Sequence, residues 1–139
     1  MKKNIIVYMF SFLGIGITYG QAEISGGLAS VAISDGFEAV QGYAGQLSFD
    51  YDFLKDSKLR ASVGTDFLIG NAIAVSPGIK LGFDFINLKM NFDSDGVIWY
   101  GLGSRIGIGS VHGITISLQG GTMDGFGLGW FNIGYSYRF

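Results

Sequence analysis

Apolar and polar residues alternate with a period of two along most of this chain, a pattern that marks β-strands rather than helices. Phe37, Ala39, Tyr43, Leu47, Phe49, Tyr51 and Phe53 share one face, against Glu38, Gly42, Ala44, Gln46, Ser48, Asp50 and Asp52. Leu59, Ala61, Val63, Phe67 and Ile69 then oppose Arg60, Ser62, Gly64 and Asp66. Val75, Ile79, Leu81, Phe83 and Phe85 oppose Ser76, Gly78, Lys80, Gly82 and Asp84. Leu88, Met90 and Phe92 oppose Asn87, Lys89 and Asn91. The pattern continues with Ile98, Tyr100, Leu102, Ile106 and Ile108 against Gly101, Gly103, Arg105, Gly107 and Gly109, and with Ile114, Ile116 and Leu118 against Thr115, Ser117 and Gln119. In the last strand Phe131, Ile133, Tyr135, Tyr137 and Phe139 oppose Trp130, Asn132, Gly134, Ser136 and Arg138.

Turn signals separate these runs at fairly even spacing. They are Ser34-Asp35-Gly36, Lys55-Asp56-Ser57, Gly70-Asn71, Ile86-Asn87, Asp93-Ser94-Asp95-Gly96, Ser110-Val111-His112-Gly113 and Asp124-Gly125. Asp-Gly pairs favour tight hairpins because they accept positive φ. Seven turns predict eight strands. The first, over about residues 23–33, alternates poorly. Pro77 is awkward inside a strand and reads either as a bulge or as part of a Ser76-Pro77-Gly78 turn.

Alternation does not say which face is inside. A soluble barrel of the lipocalin or avidin type turns its apolar face inward to hold a small apolar ligand; a membrane barrel turns it outward. The polar face here is mostly Gly, Ser and Ala, with about one charge per strand, which suits a cramped lumen. Its charges are mixed: Glu38, Asp50, Asp66 and Asp84 against Arg60, Lys80, Lys89, Arg105 and Arg138. Buried ions must pair, and this inventory permits it. The apolar face is aromatic toward strand ends. Phe49, Tyr51, Phe53, Phe83, Phe85, Tyr135, Tyr137 and Phe139 would form one girdle; Phe37, Phe67, Phe92, Tyr100 and Phe126 would form the other. The pattern predicts an all-β, eight-stranded antiparallel up-and-down transmembrane barrel with short turns.

The N-terminus points to export. Lys2 and Lys3 precede an apolar run over residues 5–17, and Thr18-Tyr19-Gly20 offers small residues before Gln21. That is the layout of a signal peptide, assigned to residues 1–20, with cleavage before Gln21 or after Ala22. The run is shorter than the roughly 20 residues of a spanning helix. The barrel domain is then 21–139, with seven basic and eleven acidic residues. Its 24 glycines go with 12 Phe, 7 Tyr and 2 Trp, which argues for a tightly curved β-structure and against disorder. The chain has no cysteine, so neither disulfides nor thiol chemistry enter. No basic patch suggests nucleic acid.

The aromatic terminal strand resembles the C-terminal signature of bacterial outer-membrane β-barrels. The whole of 21–139 resembles the small eight-stranded members. Gln21 after the signal and Ser76-Pro77-Gly78-Ile79-Lys80-Leu81-Gly82-Phe83 resemble versions from Bacteroidota. The resemblance implies outer-membrane lipid as surroundings. It also implies Tyr135, Tyr137 and Phe139 as the assembly signal read by the barrel-assembly machinery. Relatives commonly carry long extracellular loops for binding, and here the connections are short.

Several motifs suggest chemistry, and each has a plainer reading. Asn91-Phe92-Asp93-Ser94-Asp95-Gly96 partly matches a calcium loop, but its twelfth position is Leu102 where a bidentate Glu is needed, so it reads as a polar turn. His112 is the single histidine. With Asp93-Ser94 it resembles part of the set used by outer-membrane lipid A-modifying barrels, yet the strand order puts the two at opposite rims, about 30 Å apart. Asp50 and Asp52 share a face, but an eight-stranded lumen leaves no space for a sugar between them. Gly101-Leu102-Gly103 and Gly125-Phe126-Gly127-Leu128-Gly129 precede no helix, so they are not nucleotide fingerprints. No cofactor or enzymatic activity is expected. The predicted role is structural or interactive within the envelope, with no open pore.

Overall fold

The computed structural model describes residues 21–56 and 59–139; the expected signal peptide and part of the 55–57 turn lie outside the described residues. Eight strands form one closed antiparallel barrel in sequence order: β1 (Gln21–Ser34), β2 (Ala39–Asp56), β3 (Leu59–Ile69), β4 (Ile73–Phe83), β5 (Ile86–Phe92), β6 (Ile98–Ile108), β7 (His112–Met123) and β8 (Phe126–Arg138). Closure is made by β1 against β8, from Glu23↔Arg138 to Ser34↔Gly127.

Partners followed around the wall from Gln21 run through Asp52, Ser62, Lys80, Lys89, Gly101, Gln119 and Trp130 and return to β1 at Val31, ten residues further along. That stagger on eight strands tilts them by about 40° and leaves an interior that side chains can fill. The near end holds the start of β1, the end of β8 and the 84–85 and 109–111 turns. The far end holds the connections 35–38, 70–72, 93–97 and 124–125.

Two local expectations change. The fourth turn is Asp84-Phe85, two residues before the expected Ile86-Asn87, and β5 already begins at Ile86. Pro77 is neither bulge nor turn. The β3–β4 register runs unbroken through Thr65↔Pro77, and β5 joins β4 only from Gly78↔Asn91. Pro77 therefore sits where β4 has lost one neighbour, an edge position that tolerates proline. The bulge lies in β2 instead, between Asp52 and Leu54.

β1 is a full strand despite its weak alternation. Glu23, Ser25 and Ala29 are buried inside, while Gly26 and Leu28 are exposed outside. Its two faces differ in side-chain size and burial more than in polarity, so the period is faint in the letters.

Candidate functional site

Residues buried in this barrel are mostly polar, and its exposed residues are mostly apolar. Buried groups include Ser48, Asp50, Asp66, Ser76, Lys89, Arg105, Asn132 and Ser136, whereas Leu81, Leu88, Leu102, Ile106, Leu118 and Phe131 lie on the outer wall. The lipocalin-type alternative needs the opposite arrangement, an apolar interior around its ligand.

The lumen is organised in layers. At the near end Arg138 clasps Asp84 with two hydrogen bonds, at 3.1 and 3.0 Å, and also lies 2.9 Å from Glu23. Arg105 Nε reaches Glu23 at 2.8 Å and donates to Ser136 Oγ at 3.0 Å. Arg60 pairs with Asp52 at 2.8 Å and Asp84 at 3.2 Å, and Ser62 donates to Asp52. One layer further in, Lys80 pairs with Asp50. Beyond it Lys89 meets Asp66 at 2.5 Å, and Asn91 donates to the same carboxylate and to the Ser76 carbonyl, each at 2.9 Å. A low-dielectric interior demands such pairing, because an isolated buried ion is costly.

The far half is closed by aromatic packing. Trp99 and Trp130 meet edge to face with centroids 5.4 Å apart, packed with Ala29, Val97 and Leu128. Trp130 donates from Nε1 to Gln46 at 3.2 Å and carries the Lys89 ammonium 5.8 Å above its ring. The near half keeps a polar cavity of about 60 Å³, lined by the ion pairs, Ser25, Ser117 and Asn132. That volume suits a few waters and not an organic ligand.

Of the nine charges expected inside, eight take these positions: Asp50, Arg60, Asp66, Lys80, Asp84, Lys89, Arg105 and Arg138. Glu38 does not. It lies exposed in the 35–38 connection, because β2 begins only at Ala39 and the inward face acquires a lumen several residues later. Glu23, hidden by the weak period of β1, was not expected there. Asp52 was expected on the polar face beside Asp50 but was not counted among the nine charges. Trp99 and Trp130 were missed as a plug; their place opposite the outward aromatics was the available signal.

The other candidates separate. Asn91 is turned into the lumen, away from the 93–97 connection, where Asp93 Oδ1 accepts from the Asp95 N–H at 2.7 Å. The calcium-loop spacing therefore does not converge on one point. His112 sits at the near rim, hydrogen-bonded to Tyr135, while Asp93-Ser94 lies at the far rim. Phe49 packs edge-on against Phe67, centroids 6.0 Å apart, so these two do not belong to separate girdles. At the near rim Tyr137 stacks on Phe139 at 6.0 Å and Phe83 on Phe85 at 5.6 Å.

A closed antiparallel barrel with an apolar outer wall and an ion-paired interior defines the eight-stranded transmembrane class. Its fold is that of small outer-membrane barrels. The chain is similar to Ail, the attachment invasion locus protein of Yersinia pestis, in its complex with the heparin analogue sucrose octasulfate: TM-score 0.62, 15% identity, 88% of this chain and 100% of that one. A second Ail structure gives TM-score 0.60, 16% identity and the same coverage. Neisserial surface protein A gives 0.58, with 14% identity over 87% of this chain and 100% of its own. No family description and no curated protein matches the sequence.

Proposed function

We propose that this chain is an integral barrel of a bacterial outer membrane with a structural or interaction role in the envelope, and that it neither catalyses a reaction nor forms an open pore. The observation that carries the reading is the outward apolar wall around paired charges, which only lipid or detergent can solvate. Trp99 and Trp130 argue against conduction, since they fill the far half of the lumen. The distance between His112 and Asp93-Ser94 argues against the acyl chemistry considered for them. Ail, the attachment invasion locus protein, has this fold, and by that analogy an interaction role is favoured over a purely passive wall. Residues 1–20 act as the signal peptide, and Tyr135, Tyr137 and Phe139 as the segment read by the assembly machinery.

Envelope fractionation tests the proposal. The protein should sediment with the outer membrane, begin at Gln21 or Glu23 by mass spectrometry, and require detergent to stay monodisperse. A folded, monodisperse protein in plain buffer would overturn it.

A further inference from the structure

The β1–β2 hairpin outruns its neighbours at the far end. β1 and β2 remain paired up to Ser34↔Ala39, whereas β3 joins β2 only from Ile69↔Gly45. Among the described residues, 39–44 therefore have β1 on one side and no strand on the other. The Asp35 N–H donates to the Glu38 carbonyl at 3.3 Å, which sets the hydrogen-bond phase of the hairpin. Alternation along an antiparallel ladder then turns the N–H and C=O groups of Ala39, Gln41 and Tyr43 to the open side.

Edges are usually blunted by charge, proline or a bulge. The segment Ala39-Val40-Gln41-Gly42-Tyr43-Ala44 has no charge and no proline, and its register is unbroken. Apolar side chains flank it: Phe37 at the tip is 97% exposed, Val40 72% and Tyr43 78%. The tip is held in shape, because Asp35 Oδ1 accepts from the N–H groups of Phe37 and Glu38, both at 2.9 Å. β2 has 18 residues, while a membrane crossing takes about 9–11, so this end projects past the apolar band.

Charge is partitioned to the same end. Among the described residues, the lumen balances five acids (Glu23, Asp50, Asp52, Asp66, Asp84) against five bases (Arg60, Lys80, Lys89, Arg105, Arg138). The far-end connections carry Asp35, Glu38, Asp93, Asp95 and Asp124, and no Lys or Arg falls within them. The domain's net negative charge thus lies at the end of the barrel that carries the open edge. An anionic partner is repelled there and a basic one is drawn in.

We propose that this hairpin captures an extended, basic, amphipathic peptide segment, adding it as a strand to the open edge of β2; this rests on the membrane-barrel reading, with the far end outward. Main-chain bonds to Ala39, Gln41 and Tyr43 hold the segment; its apolar residues pack on Tyr43 and Phe37, which share one face of the hairpin, and its Lys or Arg residues lie on the other face with Glu38. A second copy does not fit. Antiparallel pairing of two β2 edges needs a two-fold axis across the strands, which would invert one barrel in the membrane.

The test uses the full barrel in detergent micelles and a short capped peptide of alternating Lys and Val as probe. The peptide should slow amide exchange at Ala39, Gln41 and Tyr43 while leaving β7 unchanged. Gln41→Pro, which removes an open-side donor, and Glu38→Lys should each weaken binding by about tenfold. Gln41→Ala should stay within about twofold of wild type. If Gln41→Pro fails to fold, Glu38→Lys on the exposed connection carries the comparison. No added protection over residues 39–44, or equal binding by a Glu-Val peptide or by sucrose octasulfate, would overturn the proposal. Failure of the membrane reading shows separately, as a barrel that stays folded without detergent whatever the peptide does.

Discussion

Arg105 on β6 and Glu23 on β1 meet across the lumen, Nε to Oε2 at 2.8 Å, although their strands are not neighbours in the wall. The pair is a cross-brace, and it shares Glu23 with Arg138. Arg105→Met removes the brace and the hydrogen bonds to Ser136 and the Val111 carbonyl. Breaking a buried pair costs about 3–5 kcal/mol, and the remaining Arg138 contact places the expected loss toward the lower end. Adding Glu23→Gln should recover part of it. Unfolding of the single and double variants in detergent measures both effects; a neutral Arg105→Met would mean that this arginine is solvated.

Leu81 tests the opposite face. It lies on the outer wall between Ala61 and Leu88, 50% exposed. Leu81→Arg puts a charge against hydrocarbon two residues from Phe83 at the near rim, at a cost between the about 0–1 kcal/mol of an interfacial position and the about 2–4 kcal/mol of the midplane. Reconstitution into vesicles should drop for this variant and not for Ser94→Arg, which lies in a far-end connection. Equal insertion of the two would contradict an outward lipid-facing Leu81.

Strand number, order and face polarity were legible because seven runs kept a period of two and the seven turn signals supplied the eighth strand. Where the period held, as from Leu88 to Phe92, side-chain placement followed directly: Lys89 and Asn91 are buried and Leu88, Met90 and Phe92 exposed. Where outward residues are small and inward ones apolar, as at Gly26 and Ala29 in β1, polarity carries no signal and Glu23 was lost with it. Glu38 failed for another reason: alternation continues past the point where neighbouring strands enclose a lumen. The stagger that leaves residues 39–44 unpaired depends on inter-strand register, which single-strand patterns do not encode. The Phe49–Phe67 contact across β2 and β3 was hidden for the same reason.

Asp84 gives a pH prediction. It occupies the turn between β4 and β5. Burial pushes its carboxyl up, but the hydrogen bonds and charge of Arg138, with the charges of Arg60 and Arg105, outweigh this and hold it below the usual carboxylate range. The folded state therefore binds the proton less readily than the unfolded chain. Its contribution is complete above the unfolded value of about 3.9 and is lost as pH falls through the lower folded value. Asp84→Asn should lower stability at neutral pH and flatten the acid limb of a melting-temperature profile in detergent. An acid limb as steep as that of wild type would assign the acid sensitivity to other carboxylates.

Phe139 joins the last strand to the first. Its N–H donates to the Ala22 carbonyl at 2.9 Å, its carbonyl accepts from the Ala22 N–H at 3.1 Å, and its ring stacks on Tyr137. Two effects are thereby tied to one residue, seam closure and the assembly signal implied by the terminal aromatic pattern. Deleting Phe139 removes both. Phe139→Asp keeps the backbone bonds and removes the aromatic ring, whereas Phe139→Tyr keeps everything but the ring's full apolarity. In cells, the deletion and Phe139→Asp should accumulate poorly in the outer membrane, while Phe139→Tyr and the turn variant Asp124→Asn should match wild type. Refolding of Phe139→Asp from denaturant into detergent separates the causes. If it refolds to nearly wild-type stability yet fails in cells, recognition by the assembly machinery is at fault. If it fails in both, the girdle contact is structural. Equal outer-membrane levels for wild type and the deletion would remove Phe139 from the assembly signal altogether.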